Sequence, residues 1–143
     1  MASCLQNTAV EQSVGMRVLI VDDNEDLADI MAMIISMKGH RTCAAYNADQ
    51  GLRLALQFLP NVIFHDIALP GMSGYDAALR LRQDPRLRKT VLVAHTAYVT
   101  DADRARAKDV GFDYFIGKPL DPSMLDNLLT TLADAQGWET PSG

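Results

Sequence analysis

Only two cysteines and one tryptophan occur among these 143 residues, and there is no long apolar run. Cys4 and Cys43 do not make a disulfide framework, and a reduced setting is the plain expectation. Neither has a second Cys or a His at metal-ligand spacing, so no zinc site is expected on them. No apolar stretch approaches the roughly 18 residues of a membrane span. Residues 1–15 lack the basic and apolar regions of a secretory signal. Positive charge is also scarce, with 13 Lys and Arg against 18 Asp and Glu and a net charge of −5. That balance argues against direct nucleic-acid contact, which needs clustered cations. A cytoplasmic protein without membrane contact is expected.

What is present is periodicity. The length suits one domain that buries roughly two thirds of its unfolded surface. Residues 1–15 are polar and aperiodic and read as a flexible extension, 16–135 as the domain, and 136–143 as a tail. Arg17–Val21 is an apolar β-branched run of the kind buried on both faces of a sheet. Leu27, Ile30, Met31, Ile34 and Ile35 follow helical spacing and stop at Gly39. Arg41–Ala45 is a weaker strand; Asn47 caps a helix that ends before Pro60. Val62–Phe64 drives toward Asp66, and a helix follows over about Tyr75–Arg82. Thr90–Thr96 is a fourth strand, then a polar helix from Asp101 to Gly111, and Phe112–Ile116 a fifth strand. Asp121 and Pro122 open the last helix, with its stripe at Leu125, Leu128, Leu129 and Leu132. Strand and helix alternation with short loops predicts an α/β fold: a doubly wound, flavodoxin-like five-stranded parallel sheet. Its expected order is 2-1-3-4-5, with five helices covering both faces.

The strand ends carry the chemistry. The first ends in Asp22 and Asp23, the third in Asp66, the fourth in Thr96 and the fifth in Lys118. In that order these side chains converge on one edge, where open α/β sheets bind ligands. Either of the first two acids could simply cap a helix. Three neighbouring carboxylates nevertheless need a cation, and hard oxygen ligands suit Mg²⁺, with Mn²⁺ as a substitute. Lys118 adds a fixed positive charge and Thr96 a hydroxyl donor. Together these groups are equipment for phosphoryl transfer, where positioning and neutralisation carry most of the catalysis.

Four segments, Val18–Asn24, Asp66–Gly74, His95–Ala97 and Gly117–Pro119, together resemble the receiver domain of two-component response regulators over about residues 16–135. The intervals Asp23 to Asp66, Asp66 to Thr96 and Thr96 to Lys118, which are 43, 30 and 22 residues, are natural for that family. The resemblance implies that Asp66 is a phosphoacceptor forming an acyl phosphate. It implies that Asp23, Asp66 and the Ala68 carbonyl hold Mg²⁺ directly, and Asp22 through water. Thr96, Lys118 and the N–H groups of Ala68 and Ala97 would cradle the phosphoryl oxygens. Phe115 would be an aromatic switch residue alongside Thr96, and Pro119 would follow a cis bond. The implied partners are a histidine kinase or phosphotransfer protein as donor. A downstream protein target would dock on the fourth helix, fifth strand and fifth helix, with the chain a monomer or weak dimer. Such a domain performs chemistry on itself and is not an ordinary enzyme. A haloacid-dehalogenase-type phosphatase would carry a second acid two residues after the nucleophile, where this chain has Ala68. A receiver-like module that binds without phosphorylation is the other alternative.

His65 and His95 precede Asp66 and Thr96, and strand alternation turns both away from the acids, beneath a helix. They are expected either as packed polar residues or as a close pair coupling packing to pH. Arg80, Arg82, Arg86, Arg88 and Lys89 read as a solvated face.

Overall fold

Apolar runs and helical stripes settle into alternating strands and helices in the computed structural model, which describes residues 3–5, 15–97, 100–118 and 121–135. The elements in order are β1 (Ser3–Leu5), β2 (Arg17–Val21), α1 (Glu25–Met37), β3 (Arg41–Ala45), α2 (Ala48–Phe58) and β4 (Val62–His65). There follow α3 (Gly74–Gln83), β5 (Val91–Thr96), α4 (Asp101–Val110), β6 (Tyr114–Gly117) and α5 (Pro122–Ala135), with a 3-10 turn at Pro85–Leu87 after α3. The five strands β3-β2-β4-β5-β6 are parallel and adjacent in that order, which is the expected 2-1-3-4-5. No helix among the described residues is long and apolar enough to cross a membrane.

Both faces of the sheet are buried because Val18–Val21, Val62–Phe64 and Val91–Ala94 of its central strands are apolar at every position. On one face Leu19, Val21, Ile63, Leu92 and Ala94 pack with residues of α2, α3 and α4. On the other, Val18, Ile20, Val62, Phe64 and Val93 pack with α1 and α5. Burying each large side chain contributes about 1.5–3 kcal/mol, so alternate residues must serve opposite cores. Local chemistry sets the helix starts. Asn24, Asn47, Ser73 and Thr100 each accept a first-turn N–H, and the Asp121 carboxylate accepts from Ser123 N–H at 2.8 Å.

Five expectations change. Ser3–Leu5, assigned to the loose extension, adds an antiparallel sixth strand to the edge of β3, with Cys4 opposite Cys43. The two cysteines form a disulfide rather than standing reduced. They lie 39 residues apart, so only the pairing of β1 on β3 brings them face to face. The last strand begins at Tyr114, not Phe112, because the Phe112 N–H returns to the Ala107 carbonyl at 2.9 Å and completes the α4 terminus. Gly111 makes that turn in the left-handed region, φ 111°. Ile30 and Ile34 are 54% and 38% exposed instead of buried, since Ala28, Met31, Ala32 and Ile35 form the inward stripe of α1. The basic residues are also not simply solvated. The Arg82 guanidinium donates to the carbonyls of Gly111 at 2.7 Å and Thr90 at 2.7 Å, and pairs with Asp113 at 2.7 Å. It ties the end of α3 to the turns before β5 and β6. The tail 136–143, most of residues 1–15, and Pro119 lie outside the described residues.

Candidate functional site

The backbone ladder extends one residue past each central strand and so fixes the side chains beyond it. The Asp22 N–H donates to the Ala45 carbonyl at 3.0 Å, Asp66 N–H to Val21 at 2.9 Å, and Lys118 N–H to Thr96 at 2.8 Å. These bonds tie the end of β2 to β3, the end of β4 to β2 and the end of β6 to β5. Carboxylate oxygens of Asp22, Asp23 and Asp66 all lie within 4.8 Å of one another. Asp22 and Asp66 are buried and Asp23 is exposed.

Lys118 stands between the two buried acids. Its Nζ donates to Asp22 Oδ2 at 2.7 Å and to Asp66 Oδ2 at 2.8 Å. Burial works against its charge, but the hydrogen bonds to Asp22 and Asp66 outweigh that and raise its pKa. The other carboxylate oxygens are satisfied locally. Asp22 Oδ1 accepts from Asn24 N–H at 2.9 Å, and Asp66 Oδ1 accepts from Ala68 N–H at 3.0 Å. One ammonium thus faces three carboxylates, and hard oxygen donors with excess negative charge fit a divalent cation such as Mg²⁺.

Thr96 closes β5 and is buried, while Ala97 and Ala68 are exposed at the rim. Phe115 is half-buried on β6 beneath the Arg104 guanidinium, 5.1 Å above its ring. The expected set Asp22, Asp23, Asp66, Ala68, Thr96, Ala97 and Lys118 therefore shares one edge of the sheet, with Phe115 farther down β6.

Two features of the site were not read from the sequence. Gly74 lies against the Asp66 backbone: a Cβ there would stand 2.4 Å from the Asp66 carbonyl oxygen and 2.5 Å from Ile67 Cα. Its N–H donates to the Ile67 carbonyl at 2.8 Å, folding the loop back over the strand end. A Gly74→Ala substitution should therefore push the Asp66 loop outward and destabilise the fold by about 1–3 kcal/mol. Urea denaturation checks this, and an unchanged midpoint would show that the loop yields freely. The second feature is His65, whose Nδ1–H donates to the Asp66 carbonyl at 2.7 Å, a carbonyl being acceptor only. Burial nevertheless lowers the His65 pKa.

The histidines do not form a close pair. His65 lies two residues beyond Ile63 and opposite Ala94, on the α2–α4 face; His95 lies two beyond Val93 and opposite Ile116, on the α1–α5 face. Two-residue alternation places them on opposite sides of the sheet. His95 is 2% exposed, and its Nε2 has no hydrogen-bond partner. Burial first, and then the charge of Lys118, lower its pKa to about 4 against the pull of Asp66.

Comparison with known proteins agrees with this geometry. The family model of the response regulator receiver domain matches residues 18–130. The polar-differentiation response regulator DivK of Brucella anthropi is 32% identical over 119 residues, covering 82% of this chain and 97% of its own. A CheY-like receiver domain protein from Methanospirillum hungatei superposes with a TM-score of 0.77 at 26% identity, over 86% of this chain and 98% of its own. The receiver domain of a Pseudomonas aeruginosa sensor histidine kinase, solved with a magnesium ion coordinated in its active-site cleft, superposes at 0.76 with 24% identity. That match covers 84% of this chain and 98% of the other.

Proposed function

From the premise that the chain belongs to the receiver domain family of response regulators, and so to two-component signalling, we propose that Asp66 accepts a phosphoryl group. The observation that carries this reading is the bridge from Lys118 to Asp22 and Asp66, at 2.7 and 2.8 Å. An Asp66 oxygen attacks the phosphorus of a phosphohistidine on a histidine kinase or phosphotransfer protein. The new P–O bond forms as the P–N bond breaks, and the departing imidazole takes up a proton. Lys118 shifts from the carboxylate to a phosphoryl oxygen, and Thr96 offers its hydroxyl to another. The Ala68 and Ala97 N–H groups complete the cradle. Asp23, Asp66 and the Ala68 carbonyl would hold Mg²⁺ directly, with Asp22 in support; bound there, the ion supplies charge neutralisation of the phosphoryl oxygens. Ala68 offers no second catalytic acid, which argues against a phosphatase.

The donor approaches over α1. Ile30, Met33, Ile34 and Met37 are 54%, 56%, 38% and 76% exposed and form an apolar surface. A groove of about 470 Å³ is lined by Ile30 and Ile34 from this surface and by Ala97 and Lys118, the partner of Asp66. Such patches mark interaction surfaces. The phosphorylated domain then acts on a protein target through α4, β6 and α5, in the cytoplasm, with Phe115 following Thr96. The test is intact mass after incubation with acetyl phosphate and Mg²⁺. Wild type should gain one labile phosphoryl group and Asp66→Asn none. Equal gain in both proteins would place the acceptor elsewhere, and no gain in either would point to a phosphorylation-independent binding module.

A further inference from the structure

Of its ten residues, α4 buries only Ala107. An amphipathic helix this poor in apolar contacts is held mainly by whatever else grips it. The grip comes from Tyr75, the second residue of α3. Its phenolic oxygen lies 3.2 Å from Asp103 Oδ1 and 3.4 Å from the Asp103 carbonyl. The Arg106 guanidinium, one helical turn on, covers the Tyr75 ring at 4.1 Å from its centroid. Asp103 is shared: its Oδ2 accepts from Thr100 N–H at 3.2 Å, and its own N–H donates to Thr100 Oγ1 at 3.0 Å. One carboxylate thereby joins α3 to the cap of α4.

Both ends of this connection lead to Asp66. Tyr75 follows Gly74, which rests on the Asp66 carbonyl. Thr100 is four residues beyond Thr96, the residue that receives the Lys118 N–H at the site. All these contacts belong to the arrangement in which Lys118 occupies Asp66 Oδ2. We propose that Tyr75, Asp103 and Arg106 form a latch that holds α4 on α3 and opposes the movement of the Thr96 segment toward a phosphoryl group on Asp66. Tyr75 is a positioning residue in this scheme. The proposal rests on the reading of Asp66 as acceptor. A contact made only in the phosphoryl-free arrangement lowers the affinity for phosphoryl by the factor it adds to that arrangement.

The test uses beryllofluoride, a phosphoryl mimic, titrated with Mg²⁺ and followed by amide NMR. Tyr75→Phe keeps the ring and the Arg106 stacking but removes the hydroxyl. It should bind beryllofluoride roughly three- to ten-fold more tightly, the net worth of one typical hydrogen bond. Arg106→Ala should act in the same direction, and Arg106→Lys should return most of the way to wild type. Amide exchange of residues 101–110 should quicken in Tyr75→Phe without the ion, while α1 and α5 stay as protected as in wild type. Unchanged or weaker beryllofluoride binding in Tyr75→Phe, with wild type binding normally, overturns the latch alone. Faster exchange spread over all helices overturns it too, because the hydroxyl would then serve global stability. Wild type that takes up no beryllofluoride overturns the acceptor reading and the latch with it.

Discussion

Lys118→Met should unfold at a markedly lower urea concentration than wild type in EDTA, and Mg²⁺ should restore much of the difference. The Asp22 and Asp66 side chains are 1% and 7% exposed, and Lys118 is 17% exposed between them. Each contact at 2.7–2.8 Å is worth about 6 kcal/mol of attraction at an effective dielectric of about 20. Removing all three charges from water costs several kcal/mol per ion, so the intact trio contributes little net stability. Removing only the cation is different: two buried carboxylates then face each other with nothing between them. The expected loss is about 3–5 kcal/mol, as for other broken buried pairs. A divalent cation held by the same carboxylates replaces the lost charge, and saturation at 100-fold over its Kd would return about 2.7 kcal/mol. Equal midpoints for wild type and variant in EDTA would refute the argument, since the trio would then be dispensable.

Wild-type stability should fall as pH drops from about 6.5 toward 4, with His95 among the contributors. In the unfolded chain this imidazole takes its proton at its ordinary value of 6.5; in the fold it does so only at about 4. Between those values the unfolded state binds more protons, so acid favours unfolding. The gap corresponds to roughly 3 kcal/mol, at about 1.4 kcal/mol for each tenfold change in acidity. His65 and His40 shift in the same direction, both chiefly through burial, and add to the slope. Near neutral pH the His95 Nε2 is still a buried polar atom without a partner, which costs about 1–3 kcal/mol. His95→Leu keeps a side chain of similar bulk on the α1–α5 face and removes both penalties. It should be more stable than wild type by about 1–3 kcal/mol at pH 7, with a gap that widens toward pH 4. Denaturation curves at pH 7.5, 6 and 4.5 measure this. A variant that tracks the wild-type slope in parallel would assign the acid sensitivity to His65 and His40 instead.

The parallel sheet and its order were legible because apolar period, caps and stops agree at every level. Val18–Val21 and Val62–Phe64 are apolar at every position, which only a strand covered on both faces tolerates. Short loops between alternating strands and helices leave few topologies. The acid edge was legible for the same reason, since a residue that follows a parallel strand sits at that strand's carboxyl end whatever the rest of the chain does. Asp22, Asp66, Thr96 and Lys118 thus came together from order alone. Tertiary structure decided the properties that depend on which surfaces meet. The Cys4–Cys43 disulfide exists because β1 pairs with β3 across a separation of 39 residues, and no local pattern encodes that pairing. His65 and His95 divide between the two faces because His65 stands in register with Ala94, so His95 lies one residue farther along and alternation turns it the other way. Arg82 reads as surface charge until the turns before β5 and β6 present their carbonyls to it. Local sequence determined where each carboxylate, hydroxyl and ammonium stands, because backbone period and caps act within a few residues. Only the packed fold decided how Lys118 is shared, how far the His95 pKa falls and what grips α4, because charge, burial and hydrogen bonding depend on atoms far apart in the chain.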